Sequence, residues 1–527
     1  MKKLISILFA LIITMSLFAS SVTSFSAVET ENSEKGKYCL GDIDMNHKIS
    51  ILDATMLQKY LAKSKDFSKK QIMLADIDES SGLQISDVTL IQLYIAKISG
   101  KYPSNTYGYT IGEIVEFADS ISKLPIGIDL DTILKGYKPN KIIFDYWFEY
   151  DDIFIWKNGR NIDAEQNGDI KLFTTTDNSS TTVYILSKDY IYTQQDCGRM
   201  FMDLENVALF DFSNFNTSNA YNMYGMFWNC SSLKELDVSN FDTSNLVIAN
   251  EIFAHCTSLT KLDLSGFETS NVTSLSGLFY WCHSLEEVNL SSFDTSNVTN
   301  FSHMFSSCDS IETIDVSNFN TSKATNMSDM FCCDQLKSID LSNFDTSNVT
   351  DMSCMFRGCH ELTEIDLSNF NTTNTTNIYG MFCFCESLTS IDLSNFDTKK
   401  ITSMFELFDN CHKLTSVNLS SFDTKNVTSM NWMFNHCDSL TTIDLSNFDT
   451  SNLTNTNYMF SYCDNLESIY VSNLWSMNNV AKSKEMFKNC RKLVGGNGTK
   501  YDENIIDKTY ACIDTENQKG YLTYKAK

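Results

Sequence analysis

LKSIDLSNFDTSNVTDMSCMFRGCHE, residues 336–361, is one copy of a unit that recurs along most of the chain. Its pattern reads L-x-x-[IVL]-[DN]-[LV]-S-N-F-[DN]-T-S-N-V-T-x-M-x-x-M-F-x-x-C-x-S. The marker phenylalanine falls at Phe215, Phe241, Phe267, Phe293 and Phe319, then at Phe344, Phe370, Phe396, Phe422 and Phe448. The step is 26 residues except before Phe344, where it is 25. The missing residue lies in MFCCDQL, where Phe331 and Cys333 are one position closer than in other copies. Leu474 takes the marker place in a last, degraded copy. A fixed period between about 20 and 50 residues means units that bury their apolar face only by stacking on their neighbours. Short alternating stretches such as Ser390–Ser394 predict one strand per coil in a parallel sheet. At about 4.8 Å per strand, ten or eleven coils predict a rod or arc on the order of 50 Å long.

One cysteine sits at the same place in nearly every unit: Cys230, Cys256, Cys282, Cys308, Cys333, Cys359, Cys385, Cys411, Cys437, Cys463 and Cys490. The chain has 17 cysteines, and in a secreted chain disulfides are the usual expectation. A thiol copied once per coil is better read as a small buried residue at a turn. Adjacent-rung disulfides and a metal site are weaker readings, since a metal would gather its ligands locally, with histidines among them. The Asn/Thr/Ser-rich SNFDTSNVT segment predicts turns whose side chains bond to backbone.

Two other segments, 34 residues apart, resemble each other: residues 41–53 (GDIDMNHKISILD) and 75–87 (ADIDESSGLQISD), each followed by a helix-like apolar run. Calcium wants six to eight oxygen ligands, and alternate residues of a tight loop point inward to supply them. Oxygen donors stand at loop positions 1, 3, 5, 9 and 12: Asp42, Asp44, Asn46, Ser50 and Asp53, then Asp76, Asp78, Ser80, Gln84 and Asp87. The carbonyls of Lys48 and Gly82 occupy position 7. The pair resembles a type I dockerin over about residues 39–98. That resemblance implies two bound calcium ions and docking to a cohesin module of a scaffoldin. It also implies recognition through positions 10 and 11, here Ile51, Leu52, Ile85 and Ser86. His47 and Ser81 stand where the family has glycine, and Ser80 is a weak ligand, so the second loop is expected to bind calcium less tightly.

The repeat itself resembles the BspA-type bacterial leucine-rich surface proteins over about residues 205–490, through its SNFDTSNVTxMxxMF signature. This implies adhesion or protein binding at a bacterial surface. The fold class expected for the whole is multidomain. A small all-α calcium-binding dockerin of two F-hand loop–helix repeats (38–100) comes first. A small β-rich cap (141–204) and a parallel β solenoid of leucine-rich-repeat type (205–494) follow, closed by a C-terminal cap (495–527). Residues 101–140, which hold all three prolines, read as a linker with a short helix near Thr110–Ser122.

Composition narrows the function. With 66 acids against 40 bases the net charge is −26, which argues against a nucleic-acid partner. Lys2 and Lys3, the apolar run from Leu4 to Phe18 and the small residues from Ala19 to Ala27 read as a secretory signal over residues 1–26. No second apolar stretch is long enough to span a membrane. No paired catalytic carboxylates, nucleophile elbow or zinc motif stands out, and the seven histidines are scattered. The chain therefore reads as a secreted, non-catalytic protein, attached through a scaffold as in a cellulosome. Alternatives are a carbohydrate-binding accessory of a polysaccharide-degrading complex and, more remotely, a glycoside hydrolase. Two surfaces are candidates for a ligand of the array, whether protein or glycan. One is the acidic row Asp237, Asp263, Asp315, Asp340, Asp366, Asp392 and Asp444, whose like charges repel. The other is the variable turn near the cysteine, with Trp228, Tyr280, Trp281, Phe384 and Tyr462 beside His255 and His436.

Overall fold

The structure, a computed structural model, describes residues 122–123, 138–146, 160–161, 170–177, 180–187 and 191–527. The dockerin segment, the linker helix and the secretory segment lie outside these residues. The chain divides into two compact units, one comprising Met1–Ser122, Asp145–Phe173 and Leu186–Ile191, the other Lys123–Phe144, Thr174–Ile185 and Tyr192–Lys527. In the first, Arg160–Asn161 runs antiparallel to Lys171–Leu172.

The second unit is a stack of coils whose backbone is mostly turn. Each coil follows from the repeat. The two phenylalanines and the Leu, Val and Met positions point inward and are buried nearly without exception. The Phe of the MF pair stacks on its copy in the next coil from Phe227 to Phe487, with centroids 5.4–6.1 Å apart and planes within 23°. Burying each such ring contributes about 1.5–3 kcal/mol. The threonine of FDT is buried too. Its hydroxyl donates to a carbonyl of the following coil at 2.9–3.1 Å, and in most coils it also accepts an amide from that coil at 2.7–2.8 Å. The asparagine of SNF reaches the other way: Asn369 Nδ2 donates to the Leu341 and Phe344 carbonyls, each at 2.9 Å.

The expected fold class needs correction. Among the described residues there is no α-helix and no closed barrel, and no continuous parallel sheet runs through the coils. Parallel pairing along the coils comes in short patches, among them Lys261–Asp263 with Glu287–Asn289, Ser390–Asp392 with Ser416–Asn418, and Thr442–Leu445, Ser468–Val471 and Leu522–Tyr524. Single bridges such as Asn300↔Asn326 and Asn326↔Asp351 stand elsewhere. The physical reason is that turns and side chains satisfy the backbone. Asp366 Oδ1 accepts the Ser368 amide at 2.9 Å directly after the strand position, and equivalent aspartates do the same in other coils, so the extended run stops within three or four residues.

The MxxMF segment likewise forms no helix. Gly277, Phe279 and Trp281 donate their amides to Ser302, Met304 and Ser306 of the next coil, while Leu278, Tyr280 and Cys282 donate three residues back. This alternation requires left-handed backbone at two positions four apart, as at Gly225 and Asn229, Glu251 and His255, and Gly277 and Trp281, with φ between 56° and 63°.

Both ends of the stack are covered. Lys141, Ile142 and Ile143 pair in parallel with Leu209, Phe210 and Asp211. Phe144 packs on Phe201, Phe212 and Phe215 at 5.8, 5.5 and 4.7 Å. At the far end Leu522–Tyr524 adds a last parallel strand, and the fully buried Tyr521 ring meets Phe487 edge-on at 5.3 Å.

Candidate functional site

The repeated cysteines are free and buried. From Cys230 to Cys490 each ladder Sγ donates to the carbonyl of the MF phenylalanine one coil back, at 2.9–3.2 Å. Burial pushes the Cys256 and Cys359 thiols up to about 12, so they remain protonated donors. The ladder is structural, a set of inter-coil clips rather than nucleophiles or metal ligands.

The acidic row also has a structural explanation. Asp263, Asp315, Asp340, Asp366 and Asp392 each accept the amide of the serine two residues on, at 2.9–3.0 Å. Those hydrogen bonds hold the carboxyls below the usual aspartate range despite their neighbours. Asp444 adds an ion pair with Lys525 at 2.5 Å. A turn cap accounts for these residues without any ligand.

The variable turn gathers three of the five aromatics singled out in the sequence. His255 sits between Trp228 and Trp281, its ring tilted to both with centroids at 4.8 and 5.2 Å, and meets Tyr280 edge-on at 5.4 Å. Tyr280 touches His303, and Trp281 touches His283. Trp281 is 42 % exposed, high for so large an apolar ring. Phe384 and Tyr462 lie on other coils. Arg357 sits over the Phe384 ring at 5.5 Å, and Tyr462 stacks flat on His436 at 4.3 Å. His255, Trp281, Phe384, His436 and Tyr462 share one feature: each immediately precedes its ladder cysteine and is held at φ between 56° and 61° or at 63°. Left-handed backbone costs a bulky side chain about 1–2 kcal/mol, so aromatics there are not chosen for stability.

A second constellation adds an arginine and off-ladder cysteines to a Tyr–Glu pair that also occurs at Tyr224 and Glu251, where the hydroxyl donates to Oε2 at 3.1 Å. Arg357 Nη1 lies 3.0 Å from Glu406 Oε2, which also accepts the Tyr379 hydroxyl at 3.1 Å. Cys383 Sγ lies 3.9 Å from Glu406 and 3.8 Å from Asp409. Asp409 is 2 % exposed, accepts from Asn435 Nδ2 at 2.7 Å, and is pushed up to about 6 by burial. Cys332 Sγ donates to the Cys354 carbonyl at 3.2 Å. The available signal in the sequence is that Cys332, Cys354 and Cys383 are cysteines off the ladder, in three consecutive units next to the one-residue deletion.

Among the described residues two groups have the spacing of metal ligands: Cys383, Glu406 and Asp409, and His412, His436 and Asp438. The first is already engaged by Arg357, and burial drives its thiol far up. The expected calcium ligands Asp42, Asp44, Asn46, Lys48, Ser50, Asp53, Asp76, Asp78, Ser80, Gly82, Gln84 and Asp87 fall outside the described residues. So do Ile51, Leu52, Ile85 and Ser86.

Comparison with known proteins supplies two family matches. The family described as "Mycoplasma protein of unknown function, DUF285" matches residues 195–314, 304–391 and 385–499, together more than half of the chain. The dockerin type I domain matches residues 40–96. No curated protein matches. Among solved structures, the functional domain of InlJ from Listeria monocytogenes, described as including a cysteine ladder, is 15 % identical with a TM-score of 0.16. That alignment covers 58 % of this chain and 64 % of the InlJ chain. Among the described residues, no helix is long and apolar enough to cross a membrane.

Proposed function

The chain belongs to the DUF285 family and carries a dockerin type I domain, and from there we propose that it is a secreted, non-catalytic protein. It docks on a scaffoldin by calcium-dependent cohesin binding and displays the coil stack for protein binding or adhesion. The observation that carries this reading is the joining, in one chain, of a docking module at 40–96 to a repeat array at 195–499. Both matched families are non-catalytic module types. The basic-then-apolar segment from Lys2 to Phe18 supports export. All donors of the two loops are oxygens, the set that calcium prefers, with Asp42, Asp44, Asn46 and Asp53 the stronger cage and Ser80 the weak point of the second. Ile51, Leu52, Ile85 and Ser86 face the cohesin in this reading, in a complex of cellulosome type.

The contact surface of the array is the turn that precedes the cysteines, centred on Trp228, Tyr280 and Trp281, with Phe384 and Tyr462 further along the stack. The exposed Trp281 beside two more aromatic rings favours, as a second reading, stacking on sugar rings within a polysaccharide-degrading complex. Capture of the full chain by immobilised cohesins, with calcium and with a chelator, tests the proposal. Calcium-dependent retention by at least one cohesin is expected. Retention that survives the chelator, or none by any cohesin of the same organism, overturns it.

A further inference from the structure

The residue that follows each ladder cysteine forms its own row along one edge of the stack. From His283 it runs Asp309, Asp334, His360, Glu386, His412, Asp438 and Asp464, at the repeat spacing. Imidazoles and carboxylates therefore meet across coils. His283 lies 2.5 Å from Asp309, and His360 Nδ1 lies 3.4 Å from Glu386. At one place a third ligand joins from the row that precedes the cysteine. His412 and Asp438 follow Cys411 and Cys437, and His436 precedes Cys437.

His412 Nδ1 stands 2.8 Å from one Asp438 oxygen and His436 Nδ1 3.8 Å from the other. The three donor atoms all lie within 4.8 Å of one another. Two atoms bound tetrahedrally to one zinc ion at about 2.0–2.2 Å are about 3.3–3.6 Å apart, so side-chain rotations that open the hydrogen-bonded pair and draw the widest pair in by up to about 1.5 Å close the set. The flat stack of Tyr462 on His436, at 4.3 Å and 6°, fixes that imidazole plane. Among the described residues, no lysine or arginine forms an ion pair with Asp438.

We propose that His412, His436 and Asp438 form a binding site for a borderline divalent cation, zinc by preference, with the remaining coordination positions open to water or to an outside ligand. Two imidazoles and one carboxylate are a donor set that zinc takes and calcium does not favour. Asp464, the next residue of the same row, adds a carboxylate one coil further on. The site is independent of the dockerin loops and of the docking proposal.

The test uses the full chain with its dockerin loops saturated by calcium. Zinc chloride is titrated calorimetrically, and cobalt chloride is followed by its visible d–d bands. The expected result is one site whose cobalt spectrum lacks thiolate-to-metal charge transfer. His436→Asn or Asp438→Asn should weaken binding by more than the roughly 10–100-fold that losing an outer-shell partner costs. Thermal unfolding of both variants without metal, unchanged from the parent, shows that they fold. Two results overturn the proposal: affinity unchanged in both folded variants, or a cobalt spectrum dominated by thiolate.

Discussion

Thr372→Val changes almost no volume and removes two specific hydrogen bonds. Thr372 is 2 % exposed; its hydroxyl donates to the Asp397 carbonyl at 3.1 Å and accepts the Asp397 amide at 2.7 Å. Each bond contributes about 1 kcal/mol net, and a donor or acceptor left unpaired costs about 1–3 kcal/mol. Asp397 is half-buried, so water recovers part of that penalty. The expected loss is about 2–4 kcal/mol at the interface between two coils. Stability in a stacked array is roughly a sum of unit and nearest-neighbour terms, so the loss should stay local. Urea unfolding with hydrogen exchange resolved by peptide measures it. Faster exchange in residues 372–398, with little change near residue 240, is expected. Thr372→Ser keeps both bonds and should lie within about 1 kcal/mol of the parent. A valine variant as stable as the serine variant would mean that the threonine ladder does not join the coils.

Alkylation of the native chain should label the part-exposed Cys512 well before any ladder thiol, because burial holds those protonated and out of reach; peptide mass spectrometry reads the order. The Asp409 carboxyl, pushed up to about 6 from 3.8, binds its proton more tightly in the folded chain. Its contribution is therefore present at low pH and is lost as pH rises through about 4–6. Asp409→Asn should equal the parent near pH 4 and exceed it near pH 8 by up to about 3 kcal/mol, read by urea midpoints across pH. The row from Asp263 to Asp392 has the opposite sign: its lowered pKa values stabilise above the unfolded value and that gain disappears as acid is added. Trp281→Gly relieves a bulky side chain at φ 63°. It should leave stability within about 1 kcal/mol of the parent while reducing binding of the array to its target surface; equal binding would remove Trp281 from the contact surface.

The repeat was legible because its period is set by the core. Phe227 to Phe487 stack at one height, so each copy must return the same ring to the same place. The buried thiols were legible for the same reason. What the pattern hid is how the backbone travels between those fixed points. Ser390–Ser394 alternates like a strand, yet Asp392 caps the Ser394 amide and ends it. The MxxMF run turns its apolar residues inward by alternating amides given to the next coil with amides given three residues back, around single left-handed residues. Both depend on backbone conformation at single residues, which hydrophobic periodicity does not report. The Arg357–Glu406 pair joins residues 49 apart, two coils away, and the His412, His436 and Asp438 trio depends on which exceptions to the repeat stand side by side. Scattered along the chain, those exceptions read as noise; stacked at a period of 26 they become neighbours.

The docking proposal is tested most directly by one affinity. The full chain and its Asp42→Ala/Asp76→Ala double variant are titrated calorimetrically with the same cohesin in saturating calcium. The parent should bind tightly and one-to-one, and the variant, whose two cages each lack their first ligand, not measurably. Equal affinity of the two would contradict it.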